Sequence, residues 1–293
     1  MDILNEIKLS FKKGSVITRL IYINSVIFIA VNLFYLFNYL FNNSENNIFI
    51  ENWFAVPSSL INLLHKPWTV ITYMFLHSGF FHLLFNMLWL YWFGQILIQF
   101  LDHKKIFNIY FLGGISGAVF YISSYNIFPV FKPVLSSSVA LGASASIIAI
   151  VVATATYLPN YTVILFLIGQ LRIKYIAIFM VLTDLLFIKD GNAGGHIAHL
   201  GGAVFGFIYG YYIKKGFDIS QWLTKLIDFV SSLFKPRKRL KIKYKKPVTD
   251  YDYNRNKAKR QEEIDRILDK ISKSGYNSLT KEEKELLFKA GNN

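Results

Sequence analysis

Gly194-Gly195-His196-Ile197-Ala198-His199-Leu200-Gly201-Gly202-Ala203-Val204-Phe205-Gly206-Phe207-Ile208-Tyr209-Gly210 is the stretch that decides how this chain is read. It is an apolar run of membrane length with two imidazoles at its start. Ionisable groups are expensive in hydrocarbon, so a histidine there is expected to serve a functional site. Gly202, Gly206 and Gly210 recur at four-residue intervals. Such a face lets one helix approach another closely enough for a side-chain hydrogen bond. Upstream, Gly142-Ala143-Ser144-Ala145 heads another apolar run. A hydroxyl and an imidazole brought together in this way point to hydrolysis.

The composition places both runs in a bilayer. The 293 residues are 53% hydrophobic and 17% aromatic, with only 17% charged; a soluble domain carries about a quarter charged residues. Six spans are expected, near residues 17–41, 80–101, 106–125, 142–158, 175–188 and 195–213. The first is too long for a signal-peptide core and no small-residue cleavage site follows it, so it is expected to stay as a helix. A strand-like apolar stretch at 161–168 leaves the start of the fifth open. Cysteine is absent, which excludes a disulfide scaffold, thiol catalysis and Cys-metal sites. No 20–50-residue repeat stands out, against an inverted-repeat transporter.

Charge orients the chain. Lys8, Lys12, Lys13 and Arg19 precede the first span; Lys104 and Lys105 join the second and third; Arg172 and Lys174 join the fourth and fifth. The opposite loops carry only Lys66, Lys132 and Lys189, so both termini are expected in the cytoplasm. Of the net charge of +14, most lies in the tail: residues 214–293 hold 21 Lys/Arg against 11 Asp/Glu, residues 1–213 only 11 against 7. A basic block directly after the last span points to anionic membrane lipid rather than nucleic acid.

The expected organisation is a cytoplasmic N-terminal segment (1–15), a six-span catalytic domain (16–213), an amphipathic helix with a basic juxtamembrane segment (214–250) and a small helical C-terminal unit (251–293). The long loop after span 1, with Trp53, Phe54 and Trp68, reads as a membrane-associated hairpin on the outer leaflet. Ile219, Trp222, Leu223, Leu226, Ile227, Val230 and Leu233 repeat at helical spacing, as an interfacial helix requires. Near the end, Thr280 and Glu283 predict a capping box.

Depth brings the polar residues together. Span 4 starts no earlier than about Ala140 and stops at Pro159. Its roughly 17 residues rise only about 25 Å against a core of about 30 Å. Ser144 therefore lies below the outer surface, at a helix start whose free N–H groups suit a developing oxyanion. His199 lies one turn into span 6, in the same outer half. His82 and Asn86, i and i+4 on span 2, offer neutral donors at that depth. Each piece alone also fits ordinary helix packing; three at one depth fit it poorly.

Thus assembled, the chain resembles a bacterial rhomboid intramembrane serine protease over about residues 66–212. The resemblance rests on Gly142–Ala145 in span 4, His82–Asn86 in span 2, Ala198-His199-Leu200-Gly201-Gly202 in span 6 and the Pro67-Trp68 approach to span 2. It implies an all-α, six-transmembrane-helix polytopic bundle with a Ser-His dyad and no aspartate. Ser144 would be the nucleophile and His199 the general base. His82, Asn86 and the Ser144 N–H would form the oxyanion pocket, and His77 would be a structural histidine. Substrates would be membrane proteins cut near the outer end of a transmembrane segment, and a bacterial inner membrane would be the address. No cofactor or metal is implied. Three positions depart from the pattern: Thr69 for an arginine, Ala145 for a glycine, and Ile148 where some members stack a tyrosine on the histidine.

Rivals remain. His196 is one turn before His199 on the same face, but only His199 has Gly202 three and Gly206 seven residues on. Ser146 is a weaker alternative nucleophile. Asp184 in span 5 reads as a structural polar contact rather than a triad acid. A catalytically inactive relative that binds membrane helices is the runner-up function. A metal transporter using His77, His82, His196 and His199 is a third, disfavoured because no carboxylate recurs among them.

Overall fold

A computed structural model describes residues 3–42, 48–165, 169–234 and 249–291. The chain divides into two compact units, Met1–Phe234 and Lys235–Asn293. The basic stretch 235–246 lies outside the described residues.

In the first unit, helices α1 (Ile3–Lys13) and α2 (Val16–Leu40) are followed by short helices α3 (Phe49–Phe54), α4 (Leu60–His65) and α5 (Thr69–Thr72). Then come α6 (Phe80–Leu97), α7 (His103–Ile127), α8 (Ser144–Tyr157), α9 (Ile173–Leu186), α10 (Ala193–Lys214) and α11 (Gln221–Phe234). A helix stands at each of the six expected spans. Three of them, α2, α6 and α7, are long and apolar enough to cross a membrane by length and composition. Large apolar side chains stay exposed on α2, α6 and α9, among them Val26, Phe37, Phe81, Phe85, Phe179 and Leu186. A soluble monomer does not expose apolar surface on this scale. The chain is a mostly helical, multi-pass membrane protein.

α8 is the hub. Nearly every residue from Ala145 to Ala155 is buried, because α7 and α10 press on it with glycines. A Cβ added at Gly202, Gly206 or Gly210 would lie 2.1, 2.3 and 2.7 Å from the carbonyl oxygens of Ala145, Ala149 and Ala153. The pairing advances in step along both helices, so α8 and α10 run in the same direction. From the other side a Cβ at Gly113 would lie 2.3 Å from Ala149 Cβ, and one at Gly117 2.6 Å from Ala145 Cβ. Ala145, where the family pattern often has glycine, is accommodated because both neighbours facing it are glycines.

The outer loops are tied to the hub. Strand β1 (Val56–Pro57) pairs antiparallel with β2 (Val139–Ala140), in the register Val56↔Ala140. Ser58 Oγ donates to Leu135 O at 2.7 Å. Trp53 and Trp68 stack at 6.2 Å, and Trp68 Nε1 donates to Trp53 O at 2.9 Å. The segment feeding Ser144 is thereby fixed against the loop before α6. The strand-like stretch before the fifth helix is a hairpin: β3 (Thr162–Leu165) pairs with β4 (Gly169–Arg172), so α9 starts after it rather than earlier.

α11 is held at its start by Asn108 Nδ2, which donates to Ser220 Oγ at 2.9 Å and Thr224 Oγ1 at 2.7 Å. An exposed Lys104–Asp228 pair at 2.7 Å adds at most about 1 kcal/mol. In the second unit α12 (Asp250–Ser274) and α13 (Lys281–Gly291) are separated by Gly275, at φ +78°. The capping box forms: Thr280 N–H donates to Glu283 Oε2 at 2.7 Å, and Glu283 N–H to Thr280 Oγ1 at 3.3 Å.

Gly206→Ala should destabilise the first unit by about 1–3 kcal/mol, since the added methyl meets backbone that cannot yield. Gly79→Ala, where an added Cβ meets nothing within 4 Å, should cost no more than the loss of a favoured N-cap residue of α6, under about 1 kcal/mol. Thermal midpoints in detergent check both; equal midpoints for the two variants would contradict the packing argument.

Candidate active site

Ser144 opens α8. The residue before it, Ala143, supplies no capping side chain, and Ala143 and Ala145 are both buried. The first-turn N–H groups therefore lack an intrahelical acceptor and a side-chain cap, at the positive end of the helix dipole. Gly142 keeps the adjoining space open. Its φ is +131°, and a Cβ there would lie 3.0 Å from the His82 ring and 3.5 Å from Ser144 Oγ. An L side chain is disfavoured at that φ. The Gly142 N–H donates to Tyr73 O at 2.9 Å, fixing the turn.

Ser144 Oγ is 2.6 Å from His199 Nε2. On its other side, His199 Nδ1 is 2.7 Å from Asp184 Oδ1. The same oxygen is 2.8 Å from His196 Nδ1. Asp184 sits near the end of α9 and the histidines in the first turns of α10, across a connection of six residues. Asn192 caps α10 by accepting from Gly195 N–H at 3.1 Å. An ionised carboxylate accepts only, so both Nδ1 atoms donate to it and His199 Nε2 is left with a lone pair facing the serine. Asp184 is buried, and a buried carboxylate needs such donors.

The expectation for Asp184 changes accordingly. It is a polar contact, as expected, but the contact is with His199 itself, in a Ser-His-Asp line. The sequence signal was an ionisable residue inside an apolar helix; its distance along the chain from His199 hid the pairing. The assumption that no carboxylate accompanies the histidines also falls, because Asp184, His196 and His199 place ligand atoms within 4.8 Å of one another.

His82 reaches the Gly142 side of Ser144. Ser78 N–H donates to its Nδ1 at 3.4 Å, and Ser78 Oγ lies 3.0 Å from the same atom. A backbone amide can only donate, so Nδ1 accepts and the ring proton sits on Nε2, toward the open space. Asn86 is buried, and its Nδ2 finds no hydrogen-bond partner among the described residues. His77 meets the His82 ring edge-on at 5.1 Å, both of its own nitrogens unpartnered. The rivals separate by geometry. Ser146 is fully buried and its Oγ has no partner among the described residues; it faces Gly114 of α7, where an added Cβ would lie 2.5 Å away. His196 touches Asp184 but makes no hydrogen bond to Ser144.

Comparison with known proteins identifies the family. The Rhomboid domain family matches residues 64–216. The chain belongs to the rhomboid family. Among its relatives, RHOMBOID-like protein 12, mitochondrial, of Arabidopsis thaliana is 29% identical over 157 residues, covering 50% of this chain and 47% of that protein. Rhomboid protein 1, mitochondrial, of Saccharomyces cerevisiae is 27% identical over 153 residues, 51% and 43% of the two chains. Rhomboid-related protein 1 of Caenorhabditis elegans is 29% identical over 199 residues, 62% and 50%. The chain spans about half the length of these relatives. Residues 249–289 match a family described only as of unknown function.

Burial, and then the neighbouring His82, push the His77 imidazole from 6.5 down to about 4. Below its ordinary value the unfolded chain binds a proton that the folded protein refuses, so stability falls as pH drops from about 6.5 to about 4. His77→Phe, which fills the slot without titrating, should flatten that part of the profile. Thermal midpoints across this window check it; the same acid loss in both proteins would contradict it.

Proposed function

We propose that this rhomboid-family protein is an intramembrane serine endopeptidase that cuts transmembrane segments of membrane proteins. The observation carrying the reading is the 2.6 Å contact between Ser144 Oγ and His199 Nε2, with Asp184 behind His199. Ser144 Oγ attacks the scissile carbonyl as His199 Nε2 takes its proton. Asp184 holds the imidazole in the tautomer that can accept and offsets the positive charge it gains. The carbonyl oxygen, now negative, lies against the Ser144 N–H, His82 Nε2–H and Asn86 Nδ2. His199 then returns the proton to the leaving amine, and water hydrolyses the acyl-enzyme by the same route.

The site's setting fits such a substrate. α8 has 14 residues and rises about 21 Å, short of a bilayer core of about 30 Å. In the proposed six-span topology its N-terminus, and Ser144 with it, sits in the outer half below the surface. The distribution of basic residues among the loops supports both termini on the cytoplasmic side, and the composition of residues 235–246 suits an anionic lipid partner. The relatives named above are mitochondrial or come from eukaryotes, so they lend no support to a bacterial inner membrane. The proposal covers orientation rather than organelle.

A fluorescent phosphonate directed at activated serines should label the wild type and Ser146→Ala. Ser144→Ala and His199→Ala should not be labelled, and Asp184→Asn should label roughly 10²–10⁴-fold more slowly. Absence of labelling in folded wild type, in detergent and in lipid, would favour the inactive, helix-binding relative instead.

A further inference from the structure

The proposed reaction needs one imidazole on Asp184, yet two share its Oδ1. His196 approaches at 2.8 Å and His199 at 2.7 Å. We propose that Asp184, His196 and His199 form a binding site for a zinc-class divalent cation, and that the bound cation turns off the serine. The binding stands on the cluster alone; the inhibition rests on the reading of Ser144 and His199 given above.

The donor set fits. Two imidazoles and one carboxylate are the ligand types of three-residue zinc sites that leave a fourth position for water. They suit a borderline ion rather than Mg²⁺ or Ca²⁺, which take oxygen. The ligand atoms lie within 4.8 Å of one another. Around a tetrahedral ion, donors at about 2.05 Å stand about 3.3 Å apart, so the two 2.7–2.8 Å carboxylate contacts must open by about half an ångström, while the two imidazole nitrogens, within 4.8 Å of each other, settle to the same separation. His196 and His199 are three apart on one helix face, and the carboxylate comes from the neighbouring helix end. The side chains of His196 and His199 are 24% and 21% exposed, which leaves an ion a path in.

The consequence follows from the two ring nitrogens. In the metal-free site the His199 proton is on Nδ1 and Nε2 can accept from Ser144. A cation can bind Nδ1 only once that nitrogen has given up its proton, so the ring takes the other tautomer, with Nδ1 on the ion and the proton on Nε2. A protonated Nε2 facing Ser144 cannot receive the serine proton. The ion also occupies the carboxylate that would offset imidazolium charge. Inhibition thus acts through tautomer, without blocking the oxyanion donors on α6. His196 is the residue that turns a hydrogen-bonded pair into a three-ligand site.

Titration calorimetry with ZnCl₂ on chelator-stripped Ser144→Ala protein in detergent tests binding without activity. One zinc per chain is expected at this site, with at least a tenfold weaker Kd, or none, in Ser144→Ala/His196→Gln. Zinc should raise the thermal midpoint of the first protein and not of the second, whose zinc-free midpoint reports its fold. Equal binding by the two, or none by either, overturns the site. For the second arm, zinc at the measured Kd should roughly halve phosphonate labelling of wild type, a chelator should restore it, and Mg²⁺ should do nothing. Zinc bound with undiminished labelling overturns the inhibitory role. If no serine labels even without metal, the protease reading has failed, and calorimetry still decides the site.

Discussion

Three glycines of α10 lying against three carbonyls of α8 set the spacing on which the site depends. Lipid tails are as apolar as leucine, so no hydrophobic force draws helices together inside a bilayer. Close contact must supply the attraction, and it does so only where side chains are absent. Gly202 faces Ala145, Gly206 faces Ala149 and Gly210 faces Ala153, each too close for a Cβ. His199 sits one turn before the first of these contacts and Ser144 one residue before its partner. The helix register is thus also the register of the hydrogen bond between them. α7 closes the opposite side with Gly113 and Gly117, so α8 is clamped and its first turn cannot drift.

Polar accounting follows from that rigidity. Away from the site several buried polar groups pair: Tyr73 donates to Gly114 O at 2.6 Å, Tyr110 to Met74 O at 3.1 Å, and Asn24 Nδ2 to Leu20 O at 2.8 Å. At the start of α8 no side chain caps the first turn, and Asn86 Nδ2 on α6 is unpartnered among the described residues. Elsewhere among the described residues Asn38 Nδ2, Asn24 Oδ1, Tyr35 OH, Tyr121 OH and Ser146 Oγ are unpartnered too, so an unmet polar group is not by itself the mark of the site. Unsatisfied donors cost free energy, and those of the first turn of α8 stand beside the space that Gly142 keeps open.

Much of this was legible from residue order. The four-residue glycine spacing gave a close-packing face, and the Gly142–Ala145 turn gave a polar helix start; both are local patterns. What packs on that face was not local. Gly113, Gly114 and Gly117 of α7 sit in an ordinary apolar run, and nothing in their spacing names α8 as the partner. Thr162–Leu165, within the strand-like stretch, pairs with a second strand that follows it, and helix α1 was read simply as a segment. Asp184 is the instructive miss. Its neighbours on α9 are apolar, and its meaning depends on where α9 ends relative to α10, which a hydropathy pattern does not encode.

Asp184 also bears on the departure at Ile148. A stacked aromatic fixes the plane of an imidazole but leaves its two tautomers equal. Ile148 is buried in the core and cannot stack in that way. A carboxylate at Nδ1 fixes the plane through one edge of the ring and, because it only accepts, fixes the proton as well. Losing the aromatic therefore need not loosen the histidine; the constraint moves from the ring's face to its edge and becomes chemical as well as steric. An edge held by a shared carboxylate is, however, one that a competing cation can reach, whereas a stacked face is not. The arrangement that orients His199 most completely is the same one that exposes it to capture through His196.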